Sequence, residues 1–266
     1  MTDAVAIAAL WVQKASRVIL FTGAGVSTES GIPDFRSPGG IWEHYDPREF
    51  TYQRFLTSEE ARKTYWKMHT EFYRLLLSVR PNPSHYACVE LDRMGKLDCV
   101  ITQNVDNLHQ TAGLAPGKVI ELHGNALAVA CLQCGELYSR ADVQGWIEAG
   151  QEVPRCGRCN GLLKPRTISF GQAMPVQEMQ EAIARSRRCD LFVVAGSSLV
   201  VEPAASIPLL ARDAGARLII VNLTATAHDS SADLVLHGGT GQTLQEIVRR
   251  TTRESHPCQE EGDSAT

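Results

Sequence analysis

Four of the chain's eight cysteines fall in two CxxC pairs, Cys131/Cys134 and Cys156/Cys159, separated by residues 135–155. A CxxC pair sets two thiolates on one tight turn, and two such pairs satisfy the four positions around a tetrahedral Zn²⁺. Gly135, Pro154, Gly157 and Asn160 are the turn formers that paired knuckles need. With cysteine in every position no site remains for water, so one structural zinc per chain is expected, without catalytic work. A segment this short closes no core of its own, so metal binding would supply its folding free energy. The competing reading is a redox dithiol. Cys88, Cys99, Cys189 and Cys258 are scattered, and a secreted disulfide framework would be denser.

A second group of residues has the chemistry to hold a nucleotide. Gly23-Ala-Gly-Val-Ser-Thr28 follows directly on the apolar run Arg17–Thr22. Glycines there let a pyrophosphate approach the backbone at a helix N-terminus. A standard dinucleotide fingerprint has Gly or Ala where Thr28 stands, so an ordinary strand–turn–helix remains the alternative. The following stretch, Ser27 to Arg36, is polar, interrupted by Pro33, and ends in Asp34-Phe35-Arg36. It reads as a loop folding over a ligand. Gln103, Asn104 and Asp106 follow another apolar run and can bind a carboxamide and ribose hydroxyls; Asp106 could equally be the cap of a short helix through His109. His123 follows Val119–Leu122. A histidine at a strand end is commonly structural, but beside the two preceding motifs it is also a candidate base. Gly196-Ser-Ser-Leu-Val-Val201 and Asn222 end two further apolar runs with amides and hydroxyls suited to phosphate and ribose.

The elements that must position these groups are legible as alternation. Short apolar runs at Arg17–Thr22, Leu97–Thr102, Val119–Leu122, Asp190–Ala195 and Arg217–Asn222 read as buried strands. Between them lie helical patterns, at Pro83–Met94, Pro175–Arg187 and Glu202–Ala214, and the N-terminal stretch has helical spacing at Val5, Ala8, Ala9 and Val12. Strand–helix alternation predicts an α/β fold with a doubly wound, mostly parallel sheet, whose ligands sit beyond the carboxyl ends of the strands. Two segments break the pattern. Residues 40–80 are rich in aromatics and predict a helical layer; residues 128–163 carry the cysteine pairs and little apolar periodicity. From about Thr251 the sequence is polar and reads as a flexible tail, 251–266.

Composition excludes several classes. Of 266 residues, 44% are hydrophobic and 21% charged, which supplies a sizeable core and argues against disorder. A net charge of −4 without a long basic run gives no support for nucleic acid or an anionic membrane as main partner. No apolar stretch approaches the ~18 residues of a membrane span. Asp3 stands where an export signal would carry a cation, so a cytoplasmic location is expected.

Taken together, the motifs resemble those of the sirtuins, zinc-bearing NAD-dependent protein lysine deacylases. The matching stretches are GAGVSTESGIPDFRSPGGIW (23–42), TQNVDNLH (102–109), LHG (122–124), the CxxC pairs, KPRTISFGQAMP (164–175), GSSLVVEPA (196–204) and IIVNL (219–223). They span roughly residues 3–250 in the family's order, and the stretches at 65–66 and 80–87 look most like bacterial forms and one mitochondrial branch. The resemblance implies a Rossmann-like domain (1–39, 83–127 and 164–250) and a small domain made of the helical layer 40–82 and the zinc module 128–163. It implies NAD⁺ as co-substrate, with Ala24, Gly25, Ser27 and Arg36 at the pyrophosphate and Gly196, Ser197, Asn222 and Thr240 at the adenosine half. Gln103 and Asn104 would contact the nicotinamide ribose, Val105 and Asp106 the carboxamide, and Phe35 would cover the cleaved face; Gly23, Asp34, Ser198 and Leu223 belong to the same cofactor set. His123 would be the general base, with Asn104 beside it in the catalytic set, and Phe170 and Val200 would line the acyl-lysine tunnel. Gln172 and Ser197 depart from the commoner FGE and GTS, which touches substrate-loop detail only.

The implied partners are acylated-lysine proteins or peptides, acting on a monomer, with no nucleic acid or membrane. The products would be free lysine, nicotinamide and 2′-O-acyl-ADP-ribose. Rival readings are mono-ADP-ribosyl transfer from the same site and a non-catalytic NAD-sensing or zinc-ribbon module. Members of the family that remove acidic acyl groups carry Tyr-x-x-Arg on a small-domain helix. Alignment on Trp66 puts His69 and Phe72 at those positions, and Tyr45-Asp-Pro-Arg48 is read as a chance match. A preference for neutral acyl chains is therefore expected.

Overall fold

The computed structural model describes residues 2–253. Its strands are β1 (Val18–Thr22), β2 (Leu97–Thr102), β3 (Val119–Glu121), β4 (Gly124–Cys131), β5 (Leu137–Ser139), β6 (Leu163–Thr167), β7 (Leu191–Ala195), β8 (Arg217–Asn222) and β9 (Leu234–His237). Six of them form one sheet in the order β3-β2-β1-β7-β8-β9, every pair parallel. The remaining three form a second, antiparallel sheet in the order β5-β4-β6.

Parallel strands covered on both faces must be apolar at every position, which is why these runs show no alternation in sequence. The two faces are nevertheless distinct. Val18 and Leu20 of β1 pack with Ala8 and Val12 of helix Thr2–Lys14, Leu91 of helix Pro83–Arg93 and Ile247 of helix Thr240–Arg253. Ile19 and Phe21 face the opposite way, against Ala182 of helix Val176–Ser186 and Ala211 of helix Ile207–Asp213. A period of two therefore feeds two cores, one on each side of the sheet. The predicted Glu202–Ala214 helix starts late, with a short 3-10 turn at Ala204–Ser206 before Ile207.

The second sheet and the aromatic layer share a core. Trp66, on helix Glu59–Ser78, is buried among Val129, Val143, Cys156 and Leu163. The Arg140 guanidinium lies over both Trp66 and Tyr73, at 5.4 and 4.8 Å from the ring centroids. Arg140 opens helix Arg140–Glu148, an element that the weak apolar period of residues 128–163 does not announce. The boundaries expected at residues 127 and 164 do not mark the change of sheet: β4 begins at Gly124 and pairs with β6 over Leu163–Thr167, so both cuts pass through paired strands. Main-chain pairing across distant segments decided this, and local apolar pattern carries no sign of it. The tail expected from Thr251 also begins later, because helix Thr240–Arg253 runs on and the Thr251 hydroxyl donates to the Ile247 carbonyl. The rest of that tail, 254–266 with Cys258, lies outside the described residues. Among the described residues no helix is long and apolar enough to cross a membrane.

The two sheets are joined at Gly124, which has φ +75° and pairs with Thr167. A Cβ there would overlap the Arg166 carbonyl. Gly124→Ala therefore combines a left-handed backbone penalty with a backbone clash, an expected loss of about 2 kcal/mol or more. Calorimetric unfolding checks this: the variant should melt several degrees below the parent, and an unchanged Tm would mean that β4 and β6 are not held in this register.

Candidate active site

In an open parallel sheet the crevice lies at the carboxyl edge, where strand order reverses. Here the order runs β3-β2-β1 in one direction and β7-β8-β9 in the other, so β1 and β7 flank the reversal. The turns after those strands touch. Gly23 N–H donates to the Ala195 carbonyl (3.1 Å) and Gly25 N–H to the Gly196 carbonyl (2.9 Å). Gly196 has φ +61°, and a Cβ on it would stand 2.5 Å from the Val26 nitrogen. Any larger residue at these positions would pry the two turns apart.

Around this contact the polar residues singled out in the sequence form two hydrogen-bonded groups, Ser27–Asn104–Asp106 and Gln103–Ser197. Ser27, fully buried, donates its hydroxyl to Asp106 Oδ2 (2.7 Å). Asn104 Nδ2 donates to the Gly23 carbonyl and to Ser27 Oγ, both 3.1 Å. Gln103 Nε2 donates to Ser197 Oγ (2.8 Å), linking the β2 turn to the β7 turn. The other Asp106 oxygen accepts the Leu108 N–H (2.9 Å) at the start of helix Leu108–Thr111, although the cap position itself, expected at Asp106, falls on Asn107. Burial raises the Asp106 pKa, opposed by the hydrogen bonds from Leu108 and Ser27. The floor beneath them was not evident in sequence: Thr22 donates to Thr102 Oγ1 (2.9 Å) and meets His109 Nε2 at 3.0 Å. Nothing in residue type or spacing distinguishes these two threonines from strand residues.

His123 sits half-buried at the same edge, past the end of β3. Its Nδ1 lies 3.0 Å from the Gln103 carbonyl. A carbonyl only accepts, so Nδ1 carries the hydrogen and Nε2 keeps its lone pair. Burial lowers the His123 pKa, with the Gln103 carbonyl pulling modestly the other way, and the ring is therefore a neutral imidazole at pH 7. The other buried histidines, His69, His85 and His109, are also pushed below the usual value, by burial first.

The loop over the crevice is held by Asp34. Partial burial works against its charge, but bonds from the Ser37 hydroxyl and from the Ser37 and Arg36 N–H groups outweigh that and lower its pKa. Asp34 thus shapes the turn that leaves Phe35 and Arg36 exposed, with Phe35 5.4 Å from Trp42. Trp42 in turn stands 5.9 Å from Phe170, so an aromatic wall runs from the loop to the segment after β6. Val200 is 54% exposed beside the β7 turn. Ala24, Ser198 and Val105 are partly open at the edge. At the β8 side of the expected set, Asn222 Nδ2 donates to the Thr224 carbonyl, Thr240 Oγ1 pairs with Ser84 Oγ, and Leu223 is 74% exposed past β8.

Away from this edge, Cys131, Cys134, Cys156 and Cys159 bring their sulfurs within 4.8 Å of one another, with Cys131–Cys159 at 3.5 Å and Cys134–Cys156 at 3.6 Å. Four thiolates at ~2.3 Å from Zn²⁺ in a tetrahedron lie about 3.8 Å apart, so the set fits that ion and leaves no open position. Tyr138 was not foreseen here; its hydroxyl stands 3.2 Å from Cys156 Sγ and accepts the Gly157 N–H (3.1 Å), bracing one knuckle. Cys131→Ser should release the metal and lower Tm, because the short β5-β4-β6 sheet then loses its cross-link. Metal analysis and calorimetry test this together; a zinc-free protein with parental Tm would overturn the structural role.

A family model described as the Sir2 family matches residues 23–203. "NAD-dependent protein deacetylase 1" of Bradyrhizobium diazoefficiens is 47% identical over 240 residues, 89% of this chain and 92% of that protein. A solved structure described as "Structural Basis for the Mechanism and Regulation of Sir2 Enzymes" superposes with TM-score 0.85 at 41% identity, covering 96% of this chain and all (100%) of that one. Another, "Sir2 bound to acetylated peptide", gives TM-score 0.80 at 36% identity over 92% and 95% of the two chains. Identity at this level, over nearly the whole length of both partners and with the same backbone, has one source: the chain belongs to the Sir2 family.

Proposed function

We propose that this chain is an NAD-dependent protein-lysine deacylase, releasing free lysine, nicotinamide and 2′-O-acyl-ADP-ribose. The observation that carries the reading is the convergence of the β1, β2 and β7 turns on one edge beside a histidine whose Nε2 lone pair is free. The relative named as an NAD-dependent protein deacetylase and the structure with an acetylated peptide support it. NAD supplies an electrophilic C1′ with nicotinamide as its leaving group.

In this reading Ala24, Gly25, Ser27 and Arg36 form the pyrophosphate site, with the exposed Arg36 guanidinium supplying the charge that pairs with phosphate. Gly23 and Gly196 keep the turns close; Ser197, Ser198, Asn222, Leu223 and Thr240 surround the adenosine half. Val105 and Asp106 hold the carboxamide, and Gln103 and Asn104 the adjoining ribose. Asp34 keeps its turn in place so that Phe35 covers the reacting face and excludes water. Phe170 and Val200 flank the acyl-lysine, holding its weakly nucleophilic amide oxygen in attack geometry. His123 Nε2 then takes the proton of a ribose hydroxyl.

His123→Ala should lower the deacylation rate by ~10²-fold or more while NAD still binds, as measured by nicotinamide release and calorimetric titration. The base works as the neutral imidazole, and its pKa is depressed, so kcat/KM should hold as pH falls and drop only below the ~6.5 of an exposed histidine. An acid limb well above that value would assign the proton transfer to another group. Mass spectrometry of the target separates loss of an acyl group from gain of ADP-ribose, and the latter would overturn the deacylase reading.

The proposed acyl preference is for neutral chains. Of the two aligned positions on helix Glu59–Ser78, His69 is buried and neutral and Phe72 is apolar. Arg48 is 88% exposed and paired with Asp46 in its own turn. Tyr45 gives its hydroxyl to Glu71 (2.5 Å). The cations near His69, Arg140 and Lys164, are buried, bonded to backbone carbonyls and packed on aromatic faces. Comparing kcat/KM for acetyl-, butyryl- and succinyl-lysine forms of one peptide should rank succinyl last by about tenfold or more. A succinyl preference abolished selectively by Arg48→Met would overturn it.

A further inference from the structure

The opposite edge of the large sheet holds a charged cleft that deacylation does not use. It has a volume of about 610 Å³ and is lined at its rim by Lys14, Arg17, Arg187, Arg188 and Arg217, with Asp190 as the one carboxylate. These side chains come from three separate connections, those entering β1, β7 and β8 at their N-terminal ends. The five cations are solvent-exposed, in a chain whose net charge is −4. Asp190 does little to neutralise them: its Oδ2 accepts the N–H groups of Ser16 (2.9 Å) and Arg17 (2.8 Å), and its other oxygen is 3.8 Å from the Arg17 guanidinium. Among the described residues no carboxylate pairs with Lys14, Arg187, Arg188 or Arg217. Like charges gathered from three loops repel, and only a bound polyanion turns that cost into affinity.

We infer that this cleft is a binding site for a compact anion of several condensed phosphate groups. Four of the five cations are arginines, whose planar forks match phosphate oxygens two at a time. They surround one cleft instead of tracking a groove, which suits a short, dense polyanion over an extended acidic polypeptide. The aromatic lining offers no stacking platform for a base, since the Arg217 guanidinium lies 4.4 Å over the Trp11 ring. Recognition is therefore by phosphate charge alone, and inorganic tripolyphosphate and the triphosphate of a nucleotide are equivalent sources. The site is separate from the pyrophosphate-binding turns by the length of β1, five residues or about 16 Å of strand.

The test is calorimetric titration of the zinc-loaded full chain at physiological ionic strength, with saturating ADP-ribose present to fill the other edge. The titrants are inorganic tripolyphosphate, ATP and a hexaglutamate peptide. One tripolyphosphate per chain is expected, with ATP within about threefold and hexaglutamate weaker by about tenfold or more. Arg187→Glu with Arg188→Glu should weaken tripolyphosphate by about tenfold or more, leaving Tm, zinc content and basal deacylation unchanged. Absence of saturable binding up to about 1 mM overturns the site. Undiminished binding in the double variant, equal binding of hexaglutamate, or a strong preference for ATP over tripolyphosphate overturns the assignment of residues or of ligand class.

Discussion

The rest of the structure depends on how closely two main-chain turns approach. Gly25 donates to the Gly196 carbonyl at 2.9 Å, and neither residue has room for a Cβ. That contact fixes the spacing of β1 and β7 where strand order reverses. Asn104 then meets Ser27 and Gln103 meets Ser197, because each is carried on a turn that these two strands, or β2 beside them, hold in register.

His123 stands where the two sheets meet. Its carbonyl accepts the Ile168 N–H (2.9 Å), its ring donates to Gln103, and the next residue turns the chain into β4. The imidazole is thereby fixed from both sides. The small domain contributes to the active site through this joint, not through the metal, which lies beyond the far end of β4. Zinc acts at a distance by keeping β4, β5 and β6 together, and Trp66 transmits that order to the aromatic helix it belongs to.

Electrostatic design differs between the two edges of the sheet. The carboxyl edge is built of neutral donors and acceptors around a buried acid, Asp106, and a neutral base, with Asp34 and Arg36 in the loop above them. The opposite edge concentrates exposed cations. Buried strands β1 and β7 serve both edges, joined by β2 at the carboxyl edge and by β8 at the opposite one.

Local chemistry was legible in the sequence wherever one segment carried the whole instruction. Strands covered on both faces appear as unbroken apolar runs, two CxxC turns announce a metal by ligand spacing alone, and Gly23-Ala-Gly25 after a strand announces a tight turn at the sheet edge. What pairing or burial across distant segments decides was not legible. The strand partnership of Gly124–Cys131 with Leu163–Thr167 moved the boundary between sheets, and helix Arg140–Glu148 is stabilised by Trp66 and Tyr73 from another segment. The tautomer of His123 rests on a carbonyl twenty residues away in sequence. The cationic cleft gathers residues from three connections, no one of which is basic enough to stand out. Residue type fixes what a side chain can do; only the folded chain, by bringing partners to hydrogen-bonding distance and excluding water, decides which of those things it does.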